Sequence, residues 1–224
     1  MNSRETILER IRRNTATSGV APSATEPSGL RHLQGADSEA LLRLFTEQLE
    51  RVAGTCHRTS SMPAAAEALR AIIEDHRAQR VARSDDPAVI NLLEQVVGAF
   101  ELFTPASSRE ELLACEVGIT TASIGIAEEG TIVLPSGHAE LGRERTRLTA
   151  LLPKVHIAFL RASDMVGTIS EAIARVRSTG TNQRPMPPTV TFATGPSRTA
   201  DIEQELVLGV HGPHSQHVIL LEHE

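Results

Sequence analysis

Apolar residues three and four apart recur along the chain and alternate with short β-branched runs, the pattern of helices laid between strands. Leu41, Leu42, Leu44, Phe45 and Leu49 share the inner face of a helix over 38–50. Ser60 or Ser61, with Pro63 just behind, opens a helix that runs to about His76, and Pro87 opens another that runs to Val97. Ser107 or Ser108 caps a short helix whose first turn holds Glu110 and Glu111. Two further helices are expected over 144–152 and 166–177. Strands are expected over 52–57, 80–83, 99–103, 115–121, 155–160, 189–194 and 216–221, the last of them at a sheet edge. The runs 123–127 and 131–134, separated by Glu128-Glu129-Gly130, read as a β-hairpin. Strands alternating with helices at this spacing imply βαβ crossovers, hence an α/β fold with a largely parallel sheet. Upstream, 3–13 reads as a short helix, and 14–29, rich in Thr, Ser, Ala, Pro and Gly, as a linker. The expected organisation is an N-terminal helix and flexible linker over 1–29, followed by one domain over 30–224.

Composition changes this picture in a few places. The chain of 224 residues has no Trp, no Tyr and five Phe, so its core is built of Leu, Ile, Val and Ala. That poverty, with a net charge of −6, argues against nucleic acid, whose binding sites use aromatic platforms and basic surfaces. No run approaches the ~20 apolar residues of a membrane span, and the first residues lack the apolar core of a secretory signal. The cytoplasm is therefore the expected location. Cys56 and Cys115 form no spaced pair, so neither a disulfide scaffold nor a four-thiolate iron–sulfur cluster is expected on this chain. There is no Walker lysine motif and no G-x-S-x-G.

The most informative stretch is Thr191 to Glu203, with Gly209-Val210-His211-Gly212-Pro213 behind it. A β-branched run stops at Gly195-Pro196, where glycine permits the turn and proline fixes the next φ. Ser197 and Thr199 then flank Arg198, ahead of Asp201 and Glu203. The order reads as strand, sharp turn and start of a short helix, with Ser197 or Thr199 as cap. A helix start next to an arginine fork suits a phosphate or carboxylate, whereas the bland alternative is a capped turn with a surface arginine. Asp201 or Glu203 is placed to pair with Arg198. Glu128 and Glu129 read from pattern alone as a solvated hairpin tip, since adjacent side chains point apart. Arg143, Arg145 and Arg147 form either an anion site or a solvated helix face. His211, His214 and His217 have a ligand-like spacing, but Gly212-Pro213 breaks any helix there, so no metal site is expected. His156, inside an apolar strand, reads as a core histidine.

The string T-G-P-S-R-T-A-D-I-E over 194–203, followed by G-V-H-G-P over 209–213, resembles the signature of the LUD-domain family, in its lactate-utilisation protein C group, also called the YkgG type. A second block agrees: Ile119-Thr120-Thr121-Ala122, then Ile126-Ala127-Glu128-Glu129-Gly130-Thr131, then Arg147-Leu148, Leu152-Pro153 and Val155-His156-Ile157. The resemblance covers about 115–221. Where the family often carries an acidic residue after Thr-x-Ala, this chain has Ser123. The resemblance implies a three-layer α/β/α domain with a mostly parallel mixed sheet, similar to the NagB/RpiA/CoA-transferase group. It also implies a function, that of a cluster-free component in L-lactate oxidation to pyruvate, which binds an anionic small molecule at the strand ends. By the same resemblance, iron–sulfur clusters belong to partner proteins, and this chain holds no cofactor. Glu128 is the catalytic residue that the resemblance implies. Thr120, Gly130, Thr131, Arg147, Gly195, Ser197, Arg198, Thr199, Asp201 and His211 are the ligand-binding residues it implies, with His211 either a site wall or a buried turn histidine. Two other readings stay open: a non-catalytic assembly subunit for iron–sulfur partners, and a stand-alone CoA- or folate-type transferase or ligase; a second copy of the chain, as a homo-oligomer, is among the candidate partners. The segments near 128 and 198 are expected to meet at one cleft.

Overall fold

The computed structural model describes residues 3–17, 33, 37–136, 146–179, 187, 189–200, 206–209 and 211–223. The chain begins with α1 (Ser3–Thr17), α2 (Ser38–Arg51), β1 (Thr55–Thr59), α3 (Met62–Asp75), β2 (Arg80–Arg83) and α4 (Pro87–Glu94). Next come β3 (Glu101–Phe103), α5 (Arg109–Leu113), β4 (Val117–Thr121), β5 (Ile124–Ile126), β6 (Thr131–Pro135) and α6 (Thr146–Leu151). It continues through β7 (Val155–Arg161), β8 (Met165–Val166), α7 (Ile169–Thr179), β9 (Val190–Ala193), β10 (Arg198–Ala200), β11 (Leu206–Leu208) and β12 (Ser215–Leu221).

Helix starts follow from local chemistry. Asp37 and Asp86 each accept from a first-turn amide, of Ala40 and Ala88, and Ser61 accepts from Ala64. Ser108 and Glu111 form a reciprocal capping box at α5, so of the two serines expected there it is Ser108 that caps. Pro63 and Pro87 sit in first turns, where the missing N–H costs no helical bond.

The main sheet has six strands in the order β1-β12-β7-β4-β2-β3, all parallel. The expected α/β class with a largely parallel sheet is therefore observed. One expectation is corrected: β12 lies between β1 and β7, not at an edge. Val218, Ile219, Leu220 and Leu221 are all buried, as a strand covered on both faces requires. The edges are β1 and β3.

One face of the sheet packs against α3 and α4, through Leu69, Ile72, Val89 and Leu92 on the helices and Ile119, Ile157 and Ile219 on the strands. The other face meets α2 through Phe45 and Leu49, α6 through Ala150, and a second sheet through Ile132 and Leu134. That second sheet has four strands in the order β8-β5-β6-β9, with β5–β6 the expected antiparallel hairpin. Its outer face is covered by α7 through Ala172 and Val176. The second sheet is what a simple three-layer picture lacks. Arg58 ties the start of α2 to the end of β12, pairing in a fork with Glu39 and through Nε with Glu222. Among the described residues no helix is long and apolar enough to cross a membrane.

Candidate functional site

The signature stretch does not open a helix. Arg198–Ala200 is a strand, paired antiparallel with Leu206–Leu208. The reason is visible at Ser197: its amide donates to Pro213 O and its carbonyl accepts from Gly209 N, both at 2.9 Å. Those bonds hold the backbone extended, so the helix-start anion site expected there has no helix behind it. Arg198 is exposed on this hairpin, and Thr199 pairs with Val207 in its ladder. His211 is exposed, which removes the buried-turn reading. Asp201, Glu203, Arg143 and Arg145 lie outside the described residues.

The two signature segments nevertheless meet. Thr131 and Thr194 share a hydroxyl–hydroxyl bond of 2.6 Å. Gly130 and Gly195, at φ of +61° and +72°, both turn against the carboxyl end of α2. A Cβ on Gly130 would stand 2.2 Å from Leu49 N, and one on Gly195 would stand 2.4 Å from Val52 O. Because α2 ends where β1 begins, this junction sits at the amino edge of the main sheet, beside the start of β12.

Glu128 points elsewhere. Its Oε1 accepts from Ile169 N at 2.7 Å, the first amide of α7. Thr168 and Glu171 complete that helix start as a capping box: Thr168 Oγ1 accepts from Glu171 N, and Glu171 Oε2 accepts from Thr168 N and Gly167 N. Glu128 is thus an external cap that joins the hairpin turn to α7. Glu128→Ala should cost about 1 kcal/mol in urea denaturation, and Glu128→Gln should cost less, since the amide oxygen can still accept. Equal losses for the two variants would count against the cap.

Thr120 and Arg147 come together toward the other end of the main sheet. They line a narrow recess at the carboxyl end of β4, with a cavity volume of about 20 Å³. Thr121, its Oγ1 buried, and Thr191 also line it, and Leu134, Pro135, Ala150 and Leu151 make its wall mostly apolar. Arg147 is exposed on α6, while Thr120 is only 1% exposed. The expected site residues therefore fall into two groups. β6 and β9 run between them, from the Ile132–Ala193 pair to the Pro135–Val190 pair, roughly 10 Å at ~3.3 Å per residue.

Beneath the recess lies a buried polar seam. Thr120 Oγ1 and His156 Nε2 are 2.8 Å apart, and the His156 ring is 2% exposed. Burial, with a smaller contribution from His217, pushes His156 down to about 4, so its ring is neutral at pH 7. Ser84 Oγ, Thr121 Oγ1, Thr149 Oγ1 and Gln216 Oε1 are buried with no hydrogen-bond partner. Gln216 lies opposite His156 in the ladder. Sequence reading missed Thr121 and Thr191 as recess residues, and it took His156 for packing alone. The signal available was the hydroxyl-rich Ile119-Thr120-Thr121 run at a strand end.

His217, weighed in the sequence with His211 and His214, instead joins His57 and His76. His217 Nδ1 lies 3.1 Å from His57 Nε2, and its Nε2 lies 3.3 Å from His76 Nε2 and 2.9 Å from Ser215 Oγ. Ring centroids are 5.4 Å apart in both pairs, so the nitrogens lie near the line of centres, as in N–H···N bonds. The two neighbours face different nitrogens of His217, which no single metal ion could bridge. Among the described residues no group of three or more His, Cys, Asp or Glu is arranged for a metal. Both cysteines are free, and burial raises each thiol to about 11, far from nucleophilic.

Comparison with known proteins bears on this geometry. Residues 42–221 match the LUD domain family. Lactate utilization protein C of Geobacillus sp. (strain WCH70) is 31% identical, over 93% of this chain and 90% of its own length. The protein of the same name from Halalkalibacterium halodurans is 28% identical, over 94% of each. A crystal structure of a DUF162 family protein from Deinococcus radiodurans shares the fold with a TM-score of 0.61 at 20% identity, over 83% of this chain and 99% of that one. The chain belongs to the LUD domain family and is of the lactate utilization protein C type.

Proposed function

We propose that this chain is the cluster-free component of an L-lactate utilisation system and binds a small carboxylate in the recess between β4, β6, β9 and α6. Arg147 at the rim takes the carboxylate, the Thr120, Thr121 and Thr191 hydroxyls take a neutral oxygen, and Leu134 and Ala150 take a short apolar tail. The observation that carries this reading is that one recess holds both Thr120 and Arg147, two residues of the second signature block. Glu128 lies outside this recess, with Oε1 committed to Ile169 N, so the catalytic role implied for it is not part of this reading. The Gly130, Thr131, Gly195 and Ser197 group supports the site by fixing the second sheet on α2. In this reading 30–224 is the LUD domain, 1–29 is an appendage, the location is cytoplasmic and the electron carriers are iron–sulfur clusters in partner proteins. A layered arrangement of the NagB/RpiA/CoA-transferase kind is consistent with helices on one face of a parallel sheet.

The test is calorimetric titration of the full chain with L-lactate, pyruvate and, as a control without a 2-oxygen, propionate. Wild type should bind the first two more tightly than the third. Arg147→Ala should weaken binding about tenfold or more while leaving the circular dichroism unchanged, the worth of a charge-assisted bond. Equal binding by the variant would remove Arg147 from the site. No binding by wild type would leave the assembly-subunit reading, which the exposed Leu102 (45%) on edge strand β3 and Val97 (87%) just before it favour.

A further inference from the structure

The Thr120–His156 pair says more about the recess, and this inference rests on the carboxylate-binding reading of it. The two residues come from neighbouring strands and share one face of the sheet, since Gly118 pairs with His156 and Thr120 with Ala158. Their bond of 2.8 Å is buried at both ends. A neutral imidazole carries one N–H and one bare nitrogen, so Nε2 either accepts or donates but not both. A hydroxyl complements either state. With Nε2 bare, Thr120 gives its proton to His156 and keeps lone pairs for whatever fills the recess. With Nε2 protonated, Thr120 accepts from His156 and its own O–H is free to donate outward. Tautomer choice on a ring the ligand never touches thus sets the polarity of a hydroxyl in the recess wall. Thr121, which also lines the recess, has a buried Oγ1 with no partner, so polar capacity in this wall is unmet.

We propose that the Thr120–His156 pair lets one recess take both members of a 2-hydroxy/2-oxo carboxylate couple. The hydroxy acid donates its O–H to Thr120, whose proton then lies on the bond to a bare His156 Nε2. The oxo acid accepts from Thr120, which in turn accepts from a protonated Nε2. His156 acts through Thr120 and is a positioning residue. No bond of the ligand breaks, and only the ring proton changes place.

The experiment uses the full chain with ¹⁵N-labelled histidine. Imidazole nitrogen shifts of His156 are read in saturating L-lactate and in saturating pyruvate, alongside affinities of the wild type, Thr120→Ser and Thr120→Val. The expected result is Nδ1–H with lactate and Nε2–H with pyruvate. Thr120→Ser should keep both affinities, and Thr120→Val should lose about tenfold on each. If both acids bind and His156 keeps one tautomer, the inference is overturned while the carboxylate site stands. Undiminished binding of both acids by Thr120→Val also overturns it. If wild type binds neither acid, the carboxylate reading fails and this inference fails with it. The tautomer measurement needs only wild type, so poor folding of a variant does not blunt it.

Discussion

Gly130→Ala should destabilise the protein by about 3 kcal/mol or more and, for a chain of this size, lower the midpoint of thermal unfolding by roughly 6–12 °C. Two costs act at once. The backbone sits at φ +61°, where a Cβ costs ~1–2 kcal/mol. The added carbon would also stand 2.2 Å from Leu49 N and 2.6 Å from the Gln48 carbonyl carbon. Those are backbone atoms of α2, so relief requires the helix end to move away from the β5–β6 turn, at a further ~1–3 kcal/mol of overpacking. Phe45 and Leu49, both fully buried, would shift with it. Glu129→Ala, one residue away and exposed, is the control and should change stability by less than ~0.5 kcal/mol. A Gly130→Ala protein as stable as wild type would show that this glycine does not serve the α2 junction. The prediction also separates two meanings of a family motif. A glycine kept for ligand contact fails in binding with the fold intact, whereas one kept for packing fails in folding first.

The helices were legible because their starts are written in short-range chemistry: Ser61 with Pro63, Ser108 with Glu111. The β5–β6 hairpin was legible from two apolar runs around a glycine. The place of β12 was readable in principle from its unbroken apolar run Val218–Leu221, which fits a strand covered on both faces, but its position at the chain end suggested an edge. The stretch after Gly195 misled for a different reason. Ser197, Thr199 and two acids are good helix-start residues, and what overrides them is a pair of backbone bonds to Pro213 and Gly209, residues a local reading does not weigh. Site residues show the same divide. Thr120 and Arg147 were reached through the resemblance, but Thr191 joins them only because β9 pairs with β6. His57, His76 and His217 meet across separations of 160 and 141 residues, which only the sheet order brings about.

Those histidines, with His156, set the expected response to acid. His156 and His217 each titrate at about 4 in the fold, mainly through burial, and burial lowers His57 as well. For His217 the nearby His57 and His76 add repulsion, and Asp75 on α3 opposes it. In the unfolded chain each ring returns to about 6.5. Between these values the unfolded state holds more protons than the folded one, so stability must fall as pH falls. The loss begins near 6.5, grows to about 4, and does not grow further below. For the fully buried His156 the gap corresponds to roughly 3 kcal/mol. Carboxylates do not confuse the window. Glu39 and Glu111 are lowered by their partners Arg58 and Ser108, so what they contribute is present above about 4.5 and is lost only below it. Urea denaturation at steps between pH 7 and pH 4.5 should therefore show a steady decline, and His217→Gln should make it shallower. Stability that stays level from pH 7 to pH 5 would mean that these rings take up protons in the fold as easily as in the unfolded chain, and that neither the seam under the recess nor the three-histidine chain keeps them neutral.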